Sequence, residues 1–408
     1  MSGELLDLAD IEAARALLAG VVRVTPLERS RLLSLQLGVE TWLKCENMQR
    51  AGSYKVRGAY TRISRLSDAE RARGVVAASA GNHAQGVALA AGLLGARSTV
   101  FMPEGAPLPK VSATKGYGAS IEYAGNSVDD ALVAAREFAE RTGAILIHPF
   151  DHPDVIAGQG TVGLEILEQC PEVATIVTAV GGGGLVSGVA VAAKALKPDI
   201  KIIGVQAEGA AAYPPSLAAG EPIKLLESST IADGIAVLRP GELTFAHVSK
   251  LVDDVVTVSD EDLSAALLIL LERHKMVVEP AGGAAVAALL TGKVPLAGPV
   301  VAILSGGNID PMLLLRVIEH GLASAGRFLR LSVRTGDQPG ELARLLGEIA
   351  ETRANIVDVA HSRHNPRLSF GEVEIQLSVE TRGPDHSSAL IAALRGAGYI
   401  VALLSGTP

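Results

Sequence analysis

Three apolar, β-branched runs in this chain end directly in turns of small and polar residues: Val75–Ala78 in SAGNH (79–83), Thr175–Val180 in GGGG (181–184) and Val300–Leu304 in SGGN (305–308). These runs, with Ser98–Met102, Ile145–Ile147 and Lys201–Val205, alternate with Ala- and Leu-rich helical stretches, the grammar of parallel sheets covered by helices. In open α/β sheets a ligand sits beyond the carboxyl ends of the strands, so the three turns are expected to converge on one site. At 408 residues, with 48% hydrophobic but only 3% aromatic side chains and 44 glycines, the chain exceeds a single core and suits an Ala/Val/Leu-rich α/β protein with many tight turns.

Beyond about residue 320 the pattern changes. The small, polar segment 321–327 reads as a linker between a region 1–320 and a unit spanning 328–408. That unit is expected to contain a strand (Phe328–Val333), a helix (Pro339–Thr352), two strands (Ile356–Ser362 and Glu372–Glu380), a helix (Asp385–Gly396) and a strand (Tyr399–Leu404). The order βαββαβ is that of a ferredoxin-like unit.

The formal charge of −8 and a pI near 5.7, without a cluster of five or more basic residues, give no footprint for a phosphate backbone or an anionic lipid surface. Neither nucleic acid nor membrane is expected as a partner. Cys45 and Cys170 stand far apart without a CxxC spacing, which points away from a disulfide framework or zinc knuckle and toward a reducing cytoplasm. The opening MSGELLDLADIEAARALLAG carries acids where a secretion signal carries bases. Val173–Ala193 is uncharged and of about membrane length, but its four central glycines make it a strand, a turn and a helix start.

The segment ENMQRAGSYKVRGA (46–59) places Lys55 near a helix start, with Gly58 and Ala59 one turn on. A lysine facing small residues instead of acids suits a desolvated pocket, where its amine is neutral and nucleophilic. On its own the pattern fits a solvated helix lysine at least as well. The glycines at 181–184 offer consecutive backbone N–H groups free of side chains, followed by a helix beginning near Leu185, a combination suited to wrapping an anion. A flexible strand-to-helix turn is the plainer alternative. No GK[ST] ending follows, which disfavours a nucleotide P-loop.

Taken together and in this order, GSYKVRGA, SAGNH, GGGG, TIADGIAV (230–237) and SGGN resemble the threonine/serine dehydratase branch of the fold-type II pyridoxal phosphate family, over about residues 10–320. The family also holds serine racemase and tryptophan synthase β. The resemblance implies two open parallel-sheet lobes, the smaller (about residues 50–150) inserted in the larger, and pyridoxal 5′-phosphate as cofactor. It implies that Lys55 joins the cofactor aldehyde as a Schiff base, that Gly181, Gly182, Gly183, Gly184 and Leu185 cradle its phosphate, that Asn82 meets the phenolic oxygen of its ring and that Ser305 meets the ring nitrogen. A neutral amide can steady the phenolate. A hydroxyl at the ring nitrogen, unlike a carboxylate, does not favour protonating it, which suits elimination over transamination. By the same resemblance Ser79, Gly81, Asn82 and His83 form the substrate-carboxylate loop, with open N–H groups at a helix start; His83 is expected in a supporting role, with a catalytic base as the alternative. Gly234 would let backbone approach the cofactor closely. Read as ordinary features, Asn82 is a helix cap and Ser305 and Gly234 are turn residues.

Two departures from the family pattern matter. Serine racemases of the family carry a serine just before the glycine of the carboxylate loop, where this chain has Ala80; a methyl carries no proton, so efficient racemisation is not expected. The divalent-ion site of racemase-like members needs carboxylates around the segment beginning at Glu208, but Ala212 and Pro214 follow, so no metal is expected. The segment DQPGELARLL (337–346) makes the C-terminal unit resemble an ACT domain, with Asp337 and Gly340 in a loop that would receive an effector carboxylate. A module that only pairs copies of the chain is a near-equal reading. The expected activity is β-elimination on a small hydroxy amino acid, threonine giving 2-oxobutanoate and ammonia and serine giving pyruvate, by a homo-oligomer (dimer or tetramer) in the cytoplasm. The alternatives are a serine racemase, a β-replacement synthase and a non-catalytic amino-acid sensor.

Overall fold

A computed structural model of the chain describes residues 5–324, 326–363 and 368–404 and divides it between Asp310 and Pro311 into two units. The first unit holds two sheets. The larger has six strands in the spatial order Leu27–Arg29, Thr41–Lys44, Val300–Ile303, Thr175–Ala179, Lys201–Ala207, Asp254–Val258. All neighbours in it are parallel except the edge strand Leu27–Arg29, which runs antiparallel to Thr41–Lys44. The smaller sheet, Ser120–Tyr123, Ser98–Met102, Val75–Ala78, Ile145–Leu146, is parallel throughout.

The register explains why two of the turns meet. Val300 lies opposite Thr175 and Ala302 opposite Val177, so the chain leaves the sheet at Leu304 level with its exit at Ala179 and delivers SGGN beside the four glycines. Every residue of the strands Thr175–Ala179 and Val300–Ile303 is buried, as befits inner parallel strands covered on both faces. The uncharged stretch 173–193 resolves into the strand Thr175–Ala179, the glycine turn and the helix Gly184–Leu196; among the described residues no helix is long and apolar enough to cross a membrane.

Four strands of this unit were not anticipated. Leu27–Arg29, Ser120–Tyr123 and Asp254–Val258 are edge strands, where one ladder face needs no partner and polar residues are tolerated. Thr41–Lys44 is an inner strand whose apolar character is masked by Lys44, a fully buried lysine. Its ammonium is held by Glu165 Oε2 at 2.6 Å, Gln169 Oε1 at 2.8 Å and the Thr25 carbonyl at 2.9 Å.

The second unit begins with a helix, Pro311–Ser324, which runs through the first four positions of the segment expected as a linker. There follow the strand Phe328–Gly336, the helix Glu341–Glu351, the strands Asn355–Ser362 and Glu372–Glu380, the helix Pro384–Gly396 and the strand Ile400–Leu403. The sheet order Asn355–Ser362, Glu372–Glu380, Phe328–Gly336, Ile400–Leu403, antiparallel throughout, is the ferredoxin-like arrangement. Its core follows from alternation: Val373, Ile375, Leu377 and Val379 point to one face and pack with Leu331, Val333, Leu345, Ile349, Leu390 and Leu394.

Candidate active site

Beyond the carboxyl ends of both sheets of the first unit lies a cavity of about 960 Å³. Lys55, Ser79, Gly81, Asn82, His83, Gly181, Gly182, Gly183, Gly184, Leu185, Gly234 and Ser305 all line it, so residues up to 250 positions apart in sequence are brought to one place.

Lys55 is the first residue of the helix Lys55–Ser64. Its Nζ donates to the Pro149 carbonyl at 2.9 Å and lies 5.3 Å from the centre of the Tyr54 ring. Burial lowers the pKa of the amine to about 8, against a smaller opposing pull from the Glu279 carboxylate. The small neighbours serve ends other than the expected one. A Cβ on Gly58 would overlap the Gln159 side chain and one on Gly158 would overlap the Arg57 carbonyl, so these two glycines let the helix Pro153–Gln169 cross the lysine helix closely. It is Gly86 that leaves room beside the lysine, since a Cβ there would stand 3.0 Å from the Lys55 carbonyl carbon.

The helix start is anchored from beneath by a buried ionic network. Arg57, fully buried, donates to Glu46 Oε1 and Oε2 at 2.8 and 2.9 Å and to Glu165 Oε1 at 2.7 Å. Glu165 also takes Lys44, and Glu46 also accepts Thr25 Oγ1 at 2.6 Å. Two cations thus balance two carboxylates away from water, the condition under which buried ions are tolerated.

The glycine quartet has the character of a cradle. A Cβ on Gly182 would overlap the Phe150 ring, and one on Gly183, at φ +98° in the left-handed region, would overlap the Tyr213 hydroxyl. Side chains are therefore excluded on the packed side, and the turn curls with its amides outward. The N–H groups of Gly181 to Leu185 meet no acceptor among the described residues, although Gly184 and Leu185 open the helix Gly184–Leu196. Consecutive unpaired donors at a helix N-terminus fit a phosphate group.

Asn82 opens the helix Asn82–Leu93. Its amide nitrogen donates to Glu279 Oε1 at 2.5 Å, and its amide oxygen accepts from Asn308 Nδ2 at 2.8 Å. Asn308 Nδ2 also reaches the Ala51 carbonyl at 2.7 Å, tying the lysine loop to SGGN. Glu279 was not singled out in sequence; burial raises its carboxyl pKa to about 7, with Asp233 adding to the effect. A lone acid before PAGG in the otherwise uncharged stretch 276–290 was the available signal. Ser305 is buried at the cavity wall, its carbonyl accepting from Tyr54 N at 3.2 Å.

In the carboxylate-loop candidate, Ser79 Oγ accepts from Gly81 N at 3.0 Å. His83 donates through Nε2 to the Ile147 carbonyl at 2.8 Å; burial and the neighbouring Lys55 charge depress its pKa to about 3, so the ring is neutral. Gly234 sits where a Cβ would meet Ala281 Cβ at 2.9 Å, so close packing of the helix Pro280–Leu290 requires the glycine. Glu208 faces Lys293 Nζ at 3.3 Å.

In the second unit Asp337 and Gly340 line a separate cavity of about 190 Å³ together with His361 and Arg363. Arg363 Nε lies 2.9 Å from Asp337 Oδ2 and holds that carboxylate below its usual range. Gly340 caps the helix Glu341–Glu351 at φ +95°.

A cavity at the strand ends of two parallel sheets, lined by a lysine amine of lowered pKa and by a turn of open backbone N–H groups, fits an enzyme that holds a phosphorylated carbonyl cofactor. The chain belongs to the pyridoxal-phosphate-dependent enzyme family, whose model, described as "Pyridoxal-phosphate dependent enzyme", matches residues 18–306. It is 47% identical over 384 residues to the L-threonine ammonia-lyase of Geobacter sulfurreducens, covering 94% of this chain and 96% of that one. To the L-threonine ammonia-lyase of Thermotoga maritima it is 46% identical over 401 residues, 98% of this chain and all (100%) of the other. Among solved structures, maize serine racemase superposes with a TM-score of 0.74 at 39% identity, over 79% of this chain and 99% of that one.

Proposed function

We propose that this protein is a pyridoxal-phosphate-dependent threonine ammonia-lyase, converting L-threonine to 2-oxobutanoate and ammonia and L-serine to pyruvate and ammonia. The observation that carries the reading is the half-buried Lys55 amine, with a pKa of about 8, in one cavity with the open glycine nest. The near full-length identity to two L-threonine ammonia-lyases selects the substrate.

When bound, pyridoxal phosphate supplies an electron sink conjugated with the substrate α-carbon, which acidifies the α C–H bond and lets the β-hydroxyl depart. Lys55 would hold the cofactor through its Nζ. Its Nζ, with a pKa suited to the task near neutral pH, would take the α-proton of the substrate. The N–H groups of Gly181 to Leu185 would hold the phosphate, and Asn82 and Ser305 would face the ring. Ser79, Gly81, Asn82 and His83 form the loop for the substrate carboxylate, and Gly234 closes the wall. The water lost with the β-hydroxyl is regained on hydrolysis, so threonine balances 2-oxobutanoate plus ammonia.

The likeness to a serine racemase supports a second reading, which Ala80 on the cavity wall opposes. Incubation with L-threonine is expected to release equal amounts of 2-oxobutanoate and ammonia, and incubation with L-serine pyruvate without D-serine. Accumulation of D-serine with no keto acid would select the racemase.

Lys55 also sets a pH dependence. Its lowered pKa makes the neutral, reactive amine dominant above pH 8. Capture of pyridoxal phosphate by the apoprotein, followed by stopped-flow absorbance, should therefore accelerate about tenfold between pH 7 and 9. A midpoint above pH 10 would mean a solvated amine.

For the second unit we propose an ACT domain that takes an amino-acid effector at Asp337 and Gly340. Support comes from the ferredoxin-like order and from Arg363, which neutralises Asp337 beside the helix N-terminus. A cytoplasmic homo-oligomer, dimer or tetramer, completes the proposal.

A further inference from the structure

The cofactor has to reach from Lys55 Nζ to the glycine nest, and both ends of that span are tied to one four-residue segment, His148–Asp151. The Pro149 carbonyl accepts the Lys55 amine at 2.9 Å. The Phe150 ring fills the space a side chain on Gly182 would need, and its backbone packs against Gly184. His148 Nδ1 accepts from Asp151 N at 2.8 Å and closes the segment into a tight turn. Asp151 then fastens it to the first turn of the helix Glu242–Leu251.

The Asp151 carboxylate accepts three backbone N–H groups, from Glu242 at 3.1 Å, Leu243 at 3.0 Å and Thr244 at 3.1 Å. These are the first-turn donors of the helix Glu242–Leu251, whose own N-cap, Gly241, supplies no side chain; a Cβ on Gly241 would overlap the carboxylate. Asp151 is thus a helix cap delivered from 90 residues away. On that first turn Thr244 Oγ1 donates to the Gly182 carbonyl at 2.6 Å, and the Tyr213 hydroxyl donates to the same oxygen at 3.2 Å. Because a peptide is planar and trans, its C=O and the following N–H point in opposite directions. Holding the Gly182 carbonyl from one side therefore aims the Gly183 N–H to the other, into the nest.

We infer that Asp151 is a positioning residue for the cofactor phosphate, acting through Thr244 on the Gly182–Gly183 peptide. This rests on the cofactor site proposed above. A carboxylate that merely stabilised a helix would leave the phosphate end of the cofactor no more affected than the ring end.

The test compares apoproteins of the parent, Asp151→Ala, Thr244→Val and Thr244→Ser, each titrated with pyridoxal phosphate and with unphosphorylated pyridoxal by visible absorbance. Asp151→Ala and Thr244→Val are expected to raise the Kd for pyridoxal phosphate about tenfold, the worth of one well-aimed hydrogen bond to a charged group. The Kd for pyridoxal should move by less than about twofold, and Thr244→Ser should restore parent affinity. Thr244→Val leaves the cap in place and keeps the test decisive if Asp151→Ala fails to fold. Unchanged affinity for pyridoxal phosphate, or an equal loss for both ligands, would overturn the inference while leaving the cofactor site intact. A parent that binds pyridoxal phosphate no better than pyridoxal would overturn both.

Discussion

Lys55→Ala is expected to lower kcat/KM for L-threonine by at least about 10³-fold, or about 4 kcal/mol of transition-state stabilisation. On the proposed mechanism one substitution removes both the tether for the cofactor and the base for the α-proton, and the neighbouring groups are otherwise engaged. The His83 Nε2 proton is committed to the Ile147 carbonyl and the ring is held neutral. The Glu279 carboxyl is engaged by Asn82. The fold should survive, because among the described residues the lysine amine makes a single hydrogen bond, to the Pro149 carbonyl. Unchanged far-ultraviolet circular dichroism, with keto-acid formation at the limit of detection, is the expected pair of results. Parent-like turnover would remove Lys55 from the chemistry.

The second large effect is structural. Arg57→Ala leaves the fully buried Glu46 carboxylate and the nearly buried Glu165 with one cation, Lys44, in place of two. Removing one partner of a buried ion network costs about 3–5 kcal/mol, because the desolvated charge left behind is uncompensated. For a unit of this size that corresponds to a fall in Tm of about 5–8 °C. Arg57 also lies one half-turn from Lys55 on the same helix, so cofactor retention should fall with stability. A thermal melt of the apoprotein measures the first effect and cofactor content after dialysis the second. A Tm within about a degree of the parent would mean that water or a neighbouring lysine compensates the acids.

What could be read from the sequence was what local pattern encodes. Apolar runs ending in small turns located the inner strands and their convergence, and strict alternation from Val373 to Val379 exposed the sheet of the second unit. The four glycines were legible because a run without side chains is costly in entropy and has few uses. What escaped depends on contacts between distant positions. Arg57 meets Glu46 and Glu165 at separations of 11 and 108 residues, and nothing local marks either pair. Asp151 looks like a loop acid until the bare N-terminus of the helix Glu242–Leu251 is seen above it. Gly58 was taken as space for the lysine, whereas its missing side chain accommodates Gln159 and the helix behind. The boundary between the units was displaced for a similar reason. The helix Pro311–Ser324 has the same Leu-rich character as the helices of the first unit, yet belongs with the second.

The most direct measurement is borohydride reduction of the purified holoenzyme, followed by proteolysis and mass spectrometry of the pyridoxyl-bearing peptide. The label should lie on Lys55 and disappear in Lys55→Ala. Its appearance on another lysine, such as Lys110 at the cavity wall, or on none, would contradict the assignment of this amine as the one that carries the cofactor.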